Sequence, residues 1–132
     1  MKVLSLTEPY ASLVKNGVKK IETRSWKTNY RGRLYIHVSS TPIPVKCRNN
    51  SELMNLVDYN NLNFGHIICS CYLEDCVLMT DSFIEKIKNT DYNEYIAGEY
   101  APGRYAWILK DLEVLDNPIK VGGHLGIWNY ME

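Results

Sequence analysis

The sequence predicts an α+β fold: a small closed or nearly closed β-barrel of five to seven short strands, with two or three short helices between them. Three observations carry this reading. Apolar stretches of strand length recur along the chain, each bounded by Gly, Pro, Asn or Ser. Only three stretches show helical spacing or capping, and all are short. The chain has 132 residues, 45% of them apolar, which suffices for one buried core. Residues 1–132 are therefore expected to form a single domain. Barrel closure would also remove the exposed edges of an open sheet.

The elements follow in chain order. Lys2–Leu6 alternates as a first strand. Thr7-Glu8-Pro9 reads as a helix start, with Thr7 as cap and Pro9 where a missing N–H costs little. Tyr10, Leu13 and Val14 make one apolar stripe on a short helix, which Asn16-Gly17 ends. Ile21–Trp26 alternates strictly, Glu22, Arg24 and Trp26 on one face and Ile21, Thr23 and Ser25 on the other. Tyr30-Arg31-Gly32 is a turn, and Arg33–Ser39 is a strand with Leu34, Ile36 and Val38 inward. Thr41–Asn50, with two prolines, reads as a loop, and Ser51–Val57 as one short helix. Ile67–Val77 is a long strand, bent or bulged near Glu74-Asp75. The Ser82/Glu85 capping-box pattern opens a helix to about Asn89. Tyr105–Leu109 and Glu113–Leu115 are strands, and Val121–Trp128 is a glycine-punctuated closing segment.

No apolar run reaches the roughly 18–20 residues of a membrane span, and MKVLSLTEPY lacks the apolar stretch and cleavage site of a secretory signal. No membrane partner is expected, and the expected location is cytoplasmic. The four cysteines, Cys47, Cys69, Cys71 and Cys76, do not have the spacing of a zinc ribbon. They read as free thiols in a reducing compartment, Cys69 and Cys71 on one face of a strand. No metal or cofactor is expected.

Fifteen Lys and Arg balance fifteen Asp and Glu, which on its face argues against a nucleic-acid partner. The balance is uneven along the chain, however. Lys15–Arg33 holds seven basic residues (Lys15, Lys19, Lys20, Arg24, Lys27, Arg31, Arg33) against Glu22 alone, a local charge of +6. Glu74–Glu99 holds seven acids against Lys86 and Lys88. A basic stretch interleaved with Trp26, Tyr30 and Tyr35 is the footprint of single-stranded RNA or nucleotide binding, cations tracking phosphate and rings stacking on bases. A solvated strand-and-turn surface has the same composition.

Ser5-Leu6-x-x-Pro9-Tyr10-Ala11-Ser12-Leu13, Gly17-x-Lys19-x-x-Glu22-x-Arg24-Ser25-Trp26 and Arg31-Gly32-x-Leu34-x-Ile36-His37 together resemble the activating-signal-cointegrator homology (ASCH) domain. So do Gly98-Glu99-Tyr100-x-Pro102-Gly103-Arg104-Tyr105-Ala106-Trp107 and the closing Gly122/Gly123-x-x-Gly126-Ile127-Trp128. The resemblance implies a PUA-like β-barrel with a cleft beside the first helix. It implies a role in RNA metabolism, translation or coactivator assemblies. One similar branch hydrolyses N4-acetylcytidine with a lysine, a threonine and a glutamate, and another is linked to single-stranded RNA cleavage.

On that resemblance Lys19, Glu22 and Glu99 are the catalytic candidates. Lys19 reads as a phosphate-neutralising cation, a base, or simply the partner of Glu22. Glu22 stands where the acetylcytidine-hydrolysing branch has threonine, and Thr23 falls on the opposite strand face. Either Glu94 or Glu99 stands for the branch's glutamate. Ligand-binding candidates are Glu8, Tyr10, Lys20, Arg24, Trp26, Arg31 and His124. For Glu8 the alternative is service to the helix dipole, for Tyr10 the apolar stripe, for Arg24 an ion pair with Glu22, and for His124 a hydrogen bond within its turn. Trp107 and Trp128 read as core, and His37 and His66 as structural or exposed. The expected function is binding of single-stranded RNA or a modified nucleotide in a basic cleft beside the first helix. The alternatives are a Lys/Glu hydrolase on a modified nucleoside or RNA, and a protein-interaction module using the acidic Glu74–Glu99 face.

Overall fold

Six strands, β1 (Lys2–Leu6), β2 (Ile21–Arg24), β3 (Gly32–Val38), β4 (His66–Leu78), β5 (Tyr105–Lys120) and β6 (Ile127–Asn129), form one mixed sheet in the order β2-β5-β4-β3-β1-β6. The structure is a computed structural model and describes residues 1–131. β1 runs parallel to β3, with Leu4 opposite Ile36, and antiparallel to β6, with Val3 opposite Trp128. All other neighbours are antiparallel. The α+β class and strand number agree with expectation. The ladder itself does not close, because β2 and β6 are its two edges.

The reason is strand length. β6 has three residues and pairs only with Lys2–Leu4, so the same edge of β1 is left without a ladder at Ser5 and Leu6. β2 has four residues and pairs only with β5 before Ser25 and Trp26 bend away. Across the gap a side chain replaces the ladder: Arg24 Nη2 donates to the Ser5 carbonyl at 3.4 Å.

Leu34, Ile36 and Val38 are fully buried, as the alternation of β3 requires, and pack with Leu4, Ile68, Leu73 and Trp107 in the main core. Each such aliphatic side chain contributes about 1.5–3 kcal/mol by leaving water. The two strands expected at Tyr105–Leu109 and Glu113–Leu115 are one continuous β5. The polar break between them is absorbed as a bulge: Tyr72 faces Lys110 and Ser70 faces Glu113, with Asp111 between them at φ 51°. Asp is one of the few side chains that tolerate this left-handed conformation. The irregularity expected near Glu74-Asp75 is present as a register shift between Leu73 and Asp75.

Among the described residues there are five α-helices rather than two or three. They are α1 (Tyr10–Lys15), α2 (Val45–Arg48), α3 (Ser51–Met54), α4 (Asp81–Thr90) and α5 (Tyr92–Ile96). α2 lies in the proline-containing stretch expected to be a loop, with Cys47 buried against Leu13, Leu53 and Ala97. Two expected caps are different residues. At α1 Thr7 makes no side-chain cap. Glu8 does that work instead, its Oε1 accepting from the Ser12 amide at 2.8 Å and its Oε2 from the Ser12 hydroxyl at 2.5 Å. At α4 the cap is Thr80, which accepts from the Phe83 amide at 3.2 Å, while the Ser82 hydroxyl pairs with Thr80. Among the described residues no helix is long and apolar enough to cross a membrane.

Candidate functional site

The open seam between the ends of β1 and β2 is a polar cleft of about 360 Å³. Ser5, Leu6 and Thr7 form one wall, Glu22 to Trp26 the other, and Lys19, Tyr10 and Gly98–Glu99 the inner end, with Arg104 at the rim. Such a volume lies within the usual range of small-ligand sites, roughly 300–1,000 Å³.

The inner end is fully engaged with the protein. Lys19 Nζ donates to the Ile21 carbonyl at 2.7 Å and the Ala97 carbonyl at 2.6 Å, and lies 3.4 Å from Glu22 Oε1. Its side chain is 1% exposed, and the ammonium sits 5.5 Å from the Tyr10 ring centre. Two of its three protons go to backbone carbonyls, and the Glu22 carboxylate balances its charge as an ion pair. Glu22 is held from the other side by Arg24 Nε at 2.8 Å and accepts from the Thr23 amide at 3.2 Å. A Cβ on Gly98 would come within 2.9 Å of Thr23 Cγ2 and 3.3 Å of Lys19 Nζ, so only glycine lets this loop pass so close.

The rim is different. Trp26 is 39% exposed and stands edge-on to the buried Trp107, ring centres 4.7 Å apart. Glu99 bridges Lys46 at 2.5 Å and Arg104 at 3.8 Å. The hydrogen bond from Lys46 holds the Glu99 carboxyl below the usual carboxylate range and raises the lysine.

Of the ten residues singled out in the sequence, Tyr10, Lys19, Glu22, Arg24, Trp26 and Glu99 line this cleft. Glu8 is fully buried on Ser12 instead. Lys20 borders a separate apolar hollow between α1 and β5. Arg31 turns to the Thr28 and Tyr30 carbonyls and to Asp75, at 3.7 Å. His124 is exposed in the cavity next door, 5.0 Å from the Trp128 ring centre. Sequence reasoning missed Ser5, Thr7, Thr23, Ser25 and Arg104, whose hydroxyls and guanidinium line the cleft. Their signal was present in the family pattern around Ser5 and Gly103-Arg104.

Glu94 and Glu99 are placed apart. Glu99 is at the cleft. Glu94 is buried outside the cleft lining, its Oε1 accepting from the Lys20 amide at 2.6 Å, while its Oε2 and the nearby Tyr100 hydroxyl are buried without a partner. Burial pushes the Glu94 carboxyl up to about 7, against the Lys20 amide and the Lys19 charge that pull it down, and it raises Tyr100 as well.

The cleft is less basic than the +6 segment implied. It is lined by three cations, Lys19, Arg24 and Arg104, and two carboxylates, Glu22 and Glu99. The late acidic run does not form a continuous face either. Glu94 is buried, Glu74 pairs with Lys110, Asp75 with Arg31, and Glu99 with Lys46. Cys69 and Cys71 are buried in β4, and burial pushes their thiols up to about 12 and 11. Among the described residues no group of three His, Cys, Asp or Glu is arranged to hold a metal ion.

The mixed sheet, its side-chain-bridged seam and the polar cleft in that seam define a small α+β domain of the PUA-like class. The model of the ASCH domain matches residues 4–119, and the chain belongs to the ASCH domain family. It is similar to activating signal cointegrator 1 of Homo sapiens, with 27% identity over 126 residues, and to that of Mus musculus, with 26%. The match takes in 95% of this chain and 21% of each relative, so the chain spans about a fifth of their length. Two solved structures share the fold. The ASCH protein of Zymomonas mobilis has a TM-score of 0.56 and 20% identity over 90% of this chain and 72% of its own. A tyrosine-to-phenylalanine mutant of that protein has a TM-score of 0.54 and 18% identity, over 90% and 74%.

Proposed function

We propose that this domain binds single-stranded RNA or a nucleotide in the cleft between β1 and β2. The observation that carries the reading is that one cleft is lined by both the half-exposed Trp26 ring and the Arg24 and Arg104 guanidinium groups. A ring face for a base beside cations for phosphate is the minimal equipment of a single-strand site. The family's general link to nucleic acids agrees with it. Hydrolysis is less well served. Lys19 is tied to two carbonyls and Glu22 to two cations, which leaves no free base at the inner end.

Titrating a fluorescent tetrauridylate at increasing salt tests this. With Arg24 and Arg104 as the phosphate contacts, log K is expected to fall with log salt at a slope of about −1.4, given roughly −0.7 per phosphate on a single strand. Trp26→Ala should weaken binding about tenfold or more, since a stacked base contributes roughly 1–3 kcal/mol. Absence of binding at low salt, or binding indifferent to both salt and Trp26, rejects the proposal.

A further inference from the structure

A second cavity of about 480 Å³ adjoins the first, and Ser5, Thr7 and Arg24 line both. The two are thus one groove with a waist at Arg24. Its far wall is the Ser39–Thr41 turn, where the Ser39 hydroxyl donates to Thr41 Oγ1 at 2.9 Å and accepts from the Thr41 amide at 3.1 Å. The opposite wall is the glycine-punctuated Gly123–Gly126 turn.

The floor is a fixed hydrogen-bond chain. His37 Nε2 lies 2.7 Å from the Val121 carbonyl, which can only accept, so that nitrogen carries the proton. Nδ1 therefore accepts from the Ser5 hydroxyl at 2.9 Å, and Ser5 Oγ accepts from Trp128 Nε1 at 3.1 Å. A Cβ on Gly123 would come within 2.8 Å of both His37 and Ser5, so the turn rests directly on this floor.

The lining chemistry differs from that of the first cavity. Among the described residues no carboxylate lines the second cavity, and Arg24 is its only Lys or Arg. Beside the His124 ring and the exposed Leu125 side chain, its hydroxyls, glycine backbone and one guanidinium suit ribose and phosphate, which need neutral donors and one cation.

We infer that the second cavity is a subsite for the sugar and phosphate of the neighbouring nucleotide, so the ligand spans at least two nucleotides with Arg24 at the phosphate between them. This rests on the single-strand reading of the first cavity. The guanidinium is suited to it: Nε is committed to Glu22 and Nη2 leans on the Ser5 carbonyl, while Nη1 has no acceptor among the described residues.

The test compares uridine 5′-monophosphate with the dinucleotide pUpU by calorimetry, using the full chain. The dinucleotide is expected to bind at least tenfold tighter. Ser40→Glu, on the exposed Ser39–Thr41 turn, should remove most of that gain while leaving the monophosphate within twofold, which also shows that the variant is folded. Asn117→Glu adds the same charge at an exposed position on β5, outside the cavity lining, and should change neither affinity. Equal affinity for the two ligands, or equal loss of both in Ser40→Glu, overturns the subsite and leaves the first cavity standing. Failure of the wild type to bind either ligand overturns the single-strand reading itself.

Discussion

The two ends of the cleft are built on opposite principles. At the inner end Lys19 and Glu22 are buried, the ammonium on two backbone carbonyls and the carboxylate between Lys19 and Arg24. At the rim Trp26, Lys46 and Glu99 keep much of their surface in water, and Arg104, 26% exposed, donates to the Glu99 and Thr23 carbonyls. A buried charge that has found its partners is a fixed part of the fold, whereas a rim charge exchanges partners at little cost. The same lysine that the family pattern marks most clearly is thus the one least free to meet a ligand.

The largest effect expected from this contrast is on stability. Lys19→Ala leaves the Ile21 and Ala97 carbonyls without their donor and Glu22 with one cation instead of two. Urea denaturation should show a loss of roughly 3–5 kcal/mol, the usual cost of breaking a buried pair. A Lys19→Ala protein of unchanged stability that no longer binds ligand would reverse the assignment of the two ends.

Next comes pH. Glu94 holds its proton up to about 7 in the fold, against an ordinary 4.5, so between these values the folded form binds more protons than the unfolded chain. Its contribution is complete below pH 4.5 and is lost as pH rises through 7. The stability of the wild type relative to Glu94→Gln should fall by about 3 kcal/mol across that window. A flat difference would show that Glu94 is ionised throughout.

The smallest effect belongs to the rim. Glu99→Gln frees Lys46 and Arg104 from a carboxylate. It should tighten tetrauridylate binding two- to fivefold, with the melting temperature changed by less than about 3 °C. A large stability loss there would erase the contrast between inner end and rim.

The elements legible in the sequence were those set by local pattern. β1 and β3 follow from alternation, β4 from its apolar run, and the core tryptophan Trp107 from its place in an apolar strand. What could not be read depends on contacts across the chain. The charge runs looked like two faces, yet folding carries the late acids onto the early bases: Glu94 meets the Lys20 amide and Asp75 meets Arg31. The service of Glu8 to the helix start was one of its two readings, but its grip on Ser12 and the engagement of Lys19 by Ala97 were not legible, since neither acceptor geometry has a sequence period. A closed or nearly closed barrel was expected from the succession of short strands and helices and from the family resemblance, and the three-residue length of β6 leaves the ladder open.

That missing ladder has a further consequence. Among the described residues, the hydrogen bond that joins β1 and β2 is the one from Arg24 to the Ser5 carbonyl, a long contact of 3.4 Å. A ligand gripping Ser5 on one side and Arg24 on the other acts as a stitch, fastening a hoop that the polypeptide leaves unfastened. Occupancy and rigidity then rise together, because whatever binds the folded form alone also holds it folded. Recognition in such a domain is the last step of its construction.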